Sequence, residues 1–462
     1  MIKYRGSGDG KNTVLSILRR EGLFLPADCN GRGTCKKCRV WSEEEGAFLL
    51  ACEWRPEGEF AIGWENPEGA YETASEEGFP GEEEAKDTVL VVDIGTTTLE
   101  AALIDPAKNR VIRTASSINH QRSYGADVVS RIQEAEGGAL PELQRILEQD
   151  IRSLALRLGA NPSTTRTIVS GNTTMQYLYE GRDVKELMRP PFKPGVLSLR
   201  EKGNAVILPG VSSFVGADVL CGVLQTGMDK SSELCLLLDL GTNGEMVLGN
   251  RDRMLSASAA AGPAFEGGNI SCGMAAVPGA VYAVEPAAAG PKLFVIGGKK
   301  PAGLCGSGVI ETVYELRRAG LLDETGLLDE RYREEGFWLA EGVSFTQKDV
   351  REVQLAKSAV RAGIETLLKA YSCDKEEIHR VYLAGGLGKG LNVQKAAGIG
   401  LLPEELAGKA VSVGNASLQG ACLYASDKEA QGRMEELPGR MQELSLSDSD
   451  LFAELFMKFM VL

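Results

Sequence analysis

Histidine is nearly absent: His120 and His379 are the only two in 462 residues. Two imidazoles cannot furnish a three-histidine metal site and leave little for a histidine-dependent triad. Long apolar runs are missing as well. No stretch approaches the ~18 residues of a membrane span, and the opening MIKYRGSGDGKN lacks the apolar core of a signal peptide. Basic excess is lacking too, since 50 Lys+Arg face 64 Asp+Glu for a net charge of −14. That balance disfavours nucleic acid or an anionic membrane as a partner. The expectation is a soluble cytoplasmic protein with neither partner.

Glycine, by contrast, is plentiful at 55 residues and falls in short runs, where backbone must approach a ligand closely. The length predicts about three domains at roughly 150 residues each. Ten cysteines are unevenly spread. Cys29, Cys35, Cys38 and Cys52 fall within 24 residues, whereas Cys221, Cys235, Cys272, Cys305, Cys373 and Cys422 are scattered in apolar or glycine-rich settings. Clustered thiols in an intracellular chain are metal ligands before they are disulfides. The scattered six read as small core residues.

Composition divides the chain. Residues 1–64 balance ten basic against nine acidic residues, and residues 65–87 carry nine acids, one Lys, two Pro and three Gly. The second stretch reads as a disordered acidic linker with a coil span of roughly 26 Å. From residue 88 strands and helices alternate, as in an α/β domain. Helical spacing marks 125–133, 140–158, 308–319 and 349–371, the last capped by Thr346. VLVVDIGTTTLEAALID (89–105) is echoed by LLLDLGTNGEMVLGN (236–250). Each reads as a β-hairpin with a Gly-Thr tip and an Asp ending its first strand, 146 residues apart. A duplicated lobe, 88–232 and then 233–462, follows, with C-terminal helices returning to the first lobe.

The cysteine pattern is Cys29-x5-Cys35-x2-Cys38-x13-Cys52. One Cys-x-x-Cys within a loop carrying Gly31 and Gly33 suits a [2Fe–2S] cluster, whose sulfides need backbone N–H donors. Structural zinc, the alternative, usually shows two such knuckles. With NTVLSILRREGLFLPADC before it, the segment resembles a plant- or adrenodoxin-type ferredoxin domain, an α+β (β-grasp) fold. The last gap is shorter than in that family, so the expected cluster is more exposed. Arg32, Lys36, Lys37 and Arg39 stand around it, either as a docking patch for an acidic donor or as an ordinary solvated surface.

Asp93 with Gly95–Thr98 and Asp239 with Gly241–Glu245 offer amides and hydroxyls for phosphate and a carboxylate for hydrated Mg²⁺. LAGGLGKG (383–390) follows an apolar strand. Together these resemble the acetate kinase, sugar kinase, Hsp70 and actin superfamily, which implies two RNase-H-like lobes around ATP. The resemblance makes Asp93 and Asp239 the magnesium and water-positioning carboxylates. Gly95, Thr96, Thr97, Gly241, Thr242, Asn243 and Gly244 become phosphate contacts. Gly306, Ser307, Gly385, Gly386 and Gly388 become nucleotide contacts. Asp218, in FVGAD (214–218), is a base or water-orienter by the same resemblance, or simply a helix N-terminal charge.

SYGADVVSRI (123–132), VSGNTTM (169–175), PGVSSFVGADVL (209–220), AAAGPAFEGGNISCGMAAVPGAV (259–281), CGSGVIETVYEL (305–316) and QLAKSAVRAGIETLL (354–368) narrow the resemblance to reductive activators of corrinoid proteins. It implies ATP-dependent reduction of inactive Co(II) to Co(I) for a methyltransferase system, with a corrinoid protein and an unidentified low-potential electron donor as partners. Loop 262–273 is then partner-facing, or else a turn lining the nucleotide site. A homodimer stays open. The rivals are a small-molecule kinase, for which a ferredoxin domain has no purpose, and a cobalamin-enzyme reactivase or chaperone, which needs ATP but no cluster.

Overall fold

The computed structural model describes residues 2–64, 74–75, 87–287, 290–388 and 390–462. The chain forms two compact units: Met1–Val196 with Glu201–Ile207, and Leu197–Arg200 with Leu208–Leu462.

The first unit opens with β1 (Ile2–Asp9), α1 (Val14–Arg20), β2 (Arg39–Ser42), β3 (Ala47–Leu50) and β4 (Glu57–Trp64). These strands form one sheet in the order β1-β4-β2-β3, with antiparallel neighbours throughout. Thr13 caps α1 through its hydroxyl, and the helix buries Val14, Leu15, Ile17 and Leu18 against Val40, Phe60, Ile62 and Trp64. This small α+β layer therefore has its own core.

A larger sheet follows. It contains β5 (Ala74–Ser75), β6 (Val89–Ile94), β7 (Thr98–Asp105), β8 (Arg110–Ile118), β9 (Arg166–Gly171), β10 (Arg200–Lys202) and β11 (Ala205–Ile207) in the order β10-β11-β9-β6-β7-β8-β5. Helices α2 (Val128–Glu134), α3 (Leu140–Arg157), α4 (Thr173–Glu180) and α5 (Lys185–Met188) accompany it. In α3, Leu143, Ile146, Leu147, Ile151 and Leu154 recur at three- and four-residue spacing and are buried, forming one stripe on the sheet. The predicted helix at 125–133 begins later, at Val128, because Asp127 caps it through the Ser130 amide. The acidic stretch 65–87 lies largely outside the described residues; within it, Ala74 and Ser75 pair antiparallel with β8, so these two extend the sheet edge.

The second unit repeats the plan. After α6 (Ala217–Thr226) come β12 (Cys235–Leu240), β13 (Gly244–Gly249) and β14 (Met254–Ala259), then a subsidiary sheet of β15 (Ala280–Glu285), β16 (Lys292–Val295) and β17 (Gly303–Leu304). Next are α7 (Gly306–Arg318), the hairpin β18 (Phe337–Ala340) and β19 (Val343–Phe345), α8 (Gln347–Tyr371), β20 (Arg380–Ala384) and α9 (Gly385–Gly388). The unit ends with α10 (Val393–Gly398), α11 (Glu404–Ala407), β21 (Ala410–Gly414), α12 (Ala416–Ser426), α13 (Lys428–Arg440), β22 (Met441–Glu443) and α14 (Asp450–Lys458). Its main sheet runs β21-β20-β12-β13-β14-β22.

The duplication read from the two hairpins is visible strand by strand. In each unit three strands meander antiparallel, a fourth joins the first in parallel, and a fifth joins the fourth in parallel. Asp93 faces Glu100 and Ser170 across its two neighbours, as Asp239 faces Glu245 and Ala384. Gly171 and Gly385, which follow those partners, both take positive φ, 142° and 81°.

Candidate functional site

The four clustered cysteines lie in the loop between α1 and β2 and just after β3. They associate as two pairs: the Cys29 thiol contacts that of Cys35, and the Cys38 thiol contacts that of Cys52, with Cys35 near enough to Cys38 to act on it electrostatically. Backbone N–H groups of Thr34, Cys35, Lys37 and Cys52 turn toward the sulfurs. Burial opposes ionisation of Cys29, yet the amides of Cys35 and Thr34 bring it down to about 7. Burial pushes Cys38 up to about 12, and the Cys52 thiol adds to that. Asn30, Gly31, Gly33 and Lys36 all adopt positive φ, which wraps the loop around the thiols. Among the described residues no group of three or more His, Cys, Asp or Glu is drawn together for a single ion.

Exposure divides the four thiols. Cys29 and Cys35 are half-buried, but Cys38 and Cys52 are buried beside Leu15, Ala51 and Trp64. The four cations are also largely engaged. Lys37 pairs with Asp28 at 2.6 Å, Arg32 Nε donates to the Cys29 carbonyl at 3.2 Å, and Arg39 lies over the Phe48 ring.

The Asp93 hairpin is built from behind by residues far along the chain. Asn119 Nδ2 donates to the Gly95 carbonyl at 2.9 Å, Arg131 Nη2 to that of Thr96 at 2.6 Å, and the Asn119 amide to that of Thr97 at 3.0 Å. A trans peptide sets each following N–H opposite its carbonyl, so the amides of Thr96, Thr97 and Thr98 turn away from Asn119 and Arg131. Asn172, the N-cap of α4, donates to Thr96 Oγ1 at 3.1 Å. Neither Asn119 nor the fully buried Arg131 was singled out from sequence, although SYGADVVSRI contains the arginine.

In the second unit, Asp239, Gly241, Thr242, Glu245 and Gly385 converge. A Cβ at Gly385 would lie 2.5 Å from Asp239 Oδ1. Asp218 sits in the first turn of α6, accepting from the Val219 amide at 2.8 Å. Glu245 is half-buried, and desolvation of its carboxyl, then the charges of Asp218 and Asp239, hold it well above the usual range. The three acids are therefore close neighbours. Glu245 stood unremarked in the GTNGE motif; the signal was its place opposite Asp239 in the hairpin register. Thr242 Oγ1 donates to Glu266 Oε2 at 2.8 Å, so the start of loop 262–273 lines this hairpin. Beyond Glu266 the loop is tied to α8, with the Ser271 amide on Asp349 at 2.6 Å. Gly306, at the start of α7, packs against Phe265 and Leu387, and Ser307 lies near Gly390. Asp239, Gly241, Thr242 and Gly385 thus gather around one hairpin, and Gly95, Thr96 and Thr97 around the other.

Comparison with known proteins adds the following. A family model described as the C-terminal domain of RACo, the ASKHA domain, matches residues 233–462, and one described as the RACo middle region matches residues 88–231. Corrinoid activation enzyme RamQ of Eubacterium limosum is 32% identical over 413 residues, covering 80% of this chain and 69% of the relative. A [Co(II) methylated amine-specific corrinoid protein] reductase of Methanosarcina barkeri is 26% identical over 414 residues, covering 80% and 76%. The solved structure of a reductive activator for a corrinoid, iron–sulfur protein superposes with a TM-score of 0.75 at 27% identity, covering 99% of this chain and 96% of that one.

Proposed function

The chain belongs to the family of reductive activators of corrinoid proteins, and from that premise we propose that it uses ATP hydrolysis to drive reduction of Co(II) to Co(I) in the corrinoid protein of a methyltransferase system. One electron per cobalt comes from an external low-potential donor. A gap of about 200 mV corresponds to roughly 5 kcal/mol, within what a nucleotide-driven change in partner affinity supplies.

The observation that carries this reading is the pairing of the four thiols, Cys29 with Cys35 and Cys38 with Cys52. Four thiols with backbone amide donors turned toward them fit what a [2Fe–2S] cluster needs. When bound, a [2Fe–2S] cluster would supply a one-electron carrier. A small-molecule kinase has no use for such a loop. We read residues 1–64 as the domain that holds it and 88–232 and 233–462 as the two ATPase lobes.

For the nucleotide, the amides of Thr96–Thr98 and Thr242–Gly244 and the hydroxyls of Thr96 and Thr97 would take phosphate oxygens, while Gly241 and the Thr242 hydroxyl shape the hairpin tip through Asn243 and Glu266. Gly385, Gly386, Gly388, Gly306 and Ser307 would face the nucleoside. Asp93 and Asp239 would hold hydrated Mg²⁺ and orient water, with Asp218 beside Asp239. The crowding of Asp218, Asp239 and Glu245 suits this, because a divalent cation relieves their mutual repulsion. Attack by water on the γ-phosphorus breaks its bond to the ADP oxygen and yields ADP, phosphate and a proton.

The test mixes the reduced, iron-loaded protein with a Co(II) corrinoid protein and follows the optical band of Co(I). The band should grow only with ATP and a reductant present. Its absence with several corrinoid proteins, alongside phosphorylation of a metabolite, would establish the kinase reading instead.

A further inference from the structure

The segment between Asn119 and Glu134 touches both the Asp93 hairpin and the cysteine loop, all within the first unit. On one side stands Arg131, with Nη2 on the Thr96 carbonyl at 2.6 Å and Nε on the Gly125 carbonyl at 3.1 Å. The same peptide group continues the connection, because the N–H of Ala126 donates to the Asp28 carbonyl at 3.3 Å. Asp28 immediately precedes Cys29. Between the hairpin tip and the first cysteine there is thus one buried side chain and one peptide plane, hydrogen-bonded at both ends.

Two further contacts fasten the same segment. Arg122 Nη2 lies 3.2 Å from Asp28 Oδ1, and Asn30 Nδ2 donates to Glu134 Oε1, on the last residue of α2, at 2.6 Å. Arg19 of α1 donates to the Ser123 carbonyl and lies over the Tyr124 ring at 4.2 Å. A peptide polarised at both ends holds each partner more firmly than either bond would alone.

We propose that Arg131 is a positioning residue that transmits occupancy of the Gly95–Thr98 loop to the thiols of the Cys29 loop. The inference rests on the nucleotide reading above and extends it. Phosphate on the amides of Thr96–Thr98 fixes the carbonyls on the opposite side of those peptides, and with them Arg131. Fixing Arg131 fixes the Gly125–Ala126 peptide and so the backbone that enters Cys29. Coupling is reciprocal, so whatever tightens the cysteine loop raises nucleotide affinity by the same factor.

The test uses the full chain before iron loading, so its readout does not depend on a loaded enzyme. Alkylation of Cys29 by a thiol reagent is timed by peptide mass spectrometry with and without a non-hydrolysable ATP analogue, whose binding is titrated in parallel. Wild type should be alkylated about fivefold more slowly with the analogue bound. Arg131→Met should bind the analogue yet lose that protection. Should Arg131→Met fail to fold, Glu134→Ala removes the acceptor of Asn30 Nδ2 on a partly exposed helix residue and unfastens the same segment from the cysteine loop, and protection should fall there too. Binding without protection in wild type, or equal protection in wild type and both variants, overturns the proposal alone. No binding to wild type overturns the nucleotide reading and this proposal with it.

Discussion

Gly385 occupies φ 81°, and an added Cβ would meet Asp239 Oδ1 at 2.5 Å and the Leu240 carbonyl at 3.1 Å. Strain and collision act together there, so Gly385→Ala should lose about 1–3 kcal/mol of stability and, by displacing Asp239, nucleotide affinity as well. Thermal melts and a nucleotide titration check both; unchanged affinity would mean Asp239 is not at the phosphate site. Asp239→Ala keeps the glycine and removes the carboxylate, and should abolish ATP turnover while leaving iron and sulfide loading intact, read by a phosphate-release assay beside the visible spectrum. Lys357 is a different case. Burial, then the nearby charge of Arg361, brings its ammonium down from 10.5 to about 8, although it donates to the Val461 carbonyl. Between pH 8 and 10.5 the unfolded chain holds a proton that the folded chain has released, so stability rises with pH across that window. Below pH 8 the cost of the buried charge is present in full, at most ~3 kcal/mol. Lys357→Met removes it, and urea midpoints should show the wild-type rise and a flatter profile in the variant; parallel profiles would count against a buried ammonium.

Helix α8 shows what an element's ends do. Thr346 and Asp349 form a reciprocal capping box, and Asp349, fully buried, also accepts the Ser271 amide of loop 262–273. Asp349→Ala would strand three donors at once: the amides of Thr346 and Ser271 and the Thr346 hydroxyl. The expected loss is about 2 kcal/mol, with faster hydrogen exchange in residues 269–273; unaltered exchange there would show that the loop is held by something else. Such ends were open to reading from sequence because caps are local. The Thr346 cap, the stripe of α3 and the two Asp-x-Gly-Thr hairpins all depend on residues a few positions apart. What could not be read depends on distant partners. Arg131 meets Thr96 across 35 positions and Asn30 meets Glu134 across 104. Glu245 looks like a surface acid in an alternating strand until the register sets it opposite Asp239 and the fold brings Asp218 alongside.

Over the whole chain, apolar burial falls into separate cores. One, built on Val14, Leu18, Val40, Phe60 and Trp64, belongs to the layer around the cysteine loop; another lies between α3 and the β6–β9 strands; a third fills the second unit. Damage confined to the first core should leave the other two folded. Cys35→Ser is such a change, because it removes one of the four thiols at a half-buried position and disturbs no core side chain. A two-iron cluster deprived of one thiolate loses a ligand that a serine hydroxyl replaces poorly. The variant should therefore lose most visible absorbance after anaerobic loading with iron and sulfide and should fail to generate Co(I). Its main calorimetric transition should stay within a few degrees of wild type, and ATP turnover without a corrinoid partner should persist. Nucleotide protection at Cys29 separates this variant from Arg131→Met, since the link through Asp28 survives in Cys35→Ser. Undiminished absorbance in the variant would take Cys35 out of the ligand set. A wild-type chain that stays colourless and carries zinc on its four thiols would remove the electron-transfer reading itself, leaving a nucleotide-binding protein of this fold with a structural metal knot.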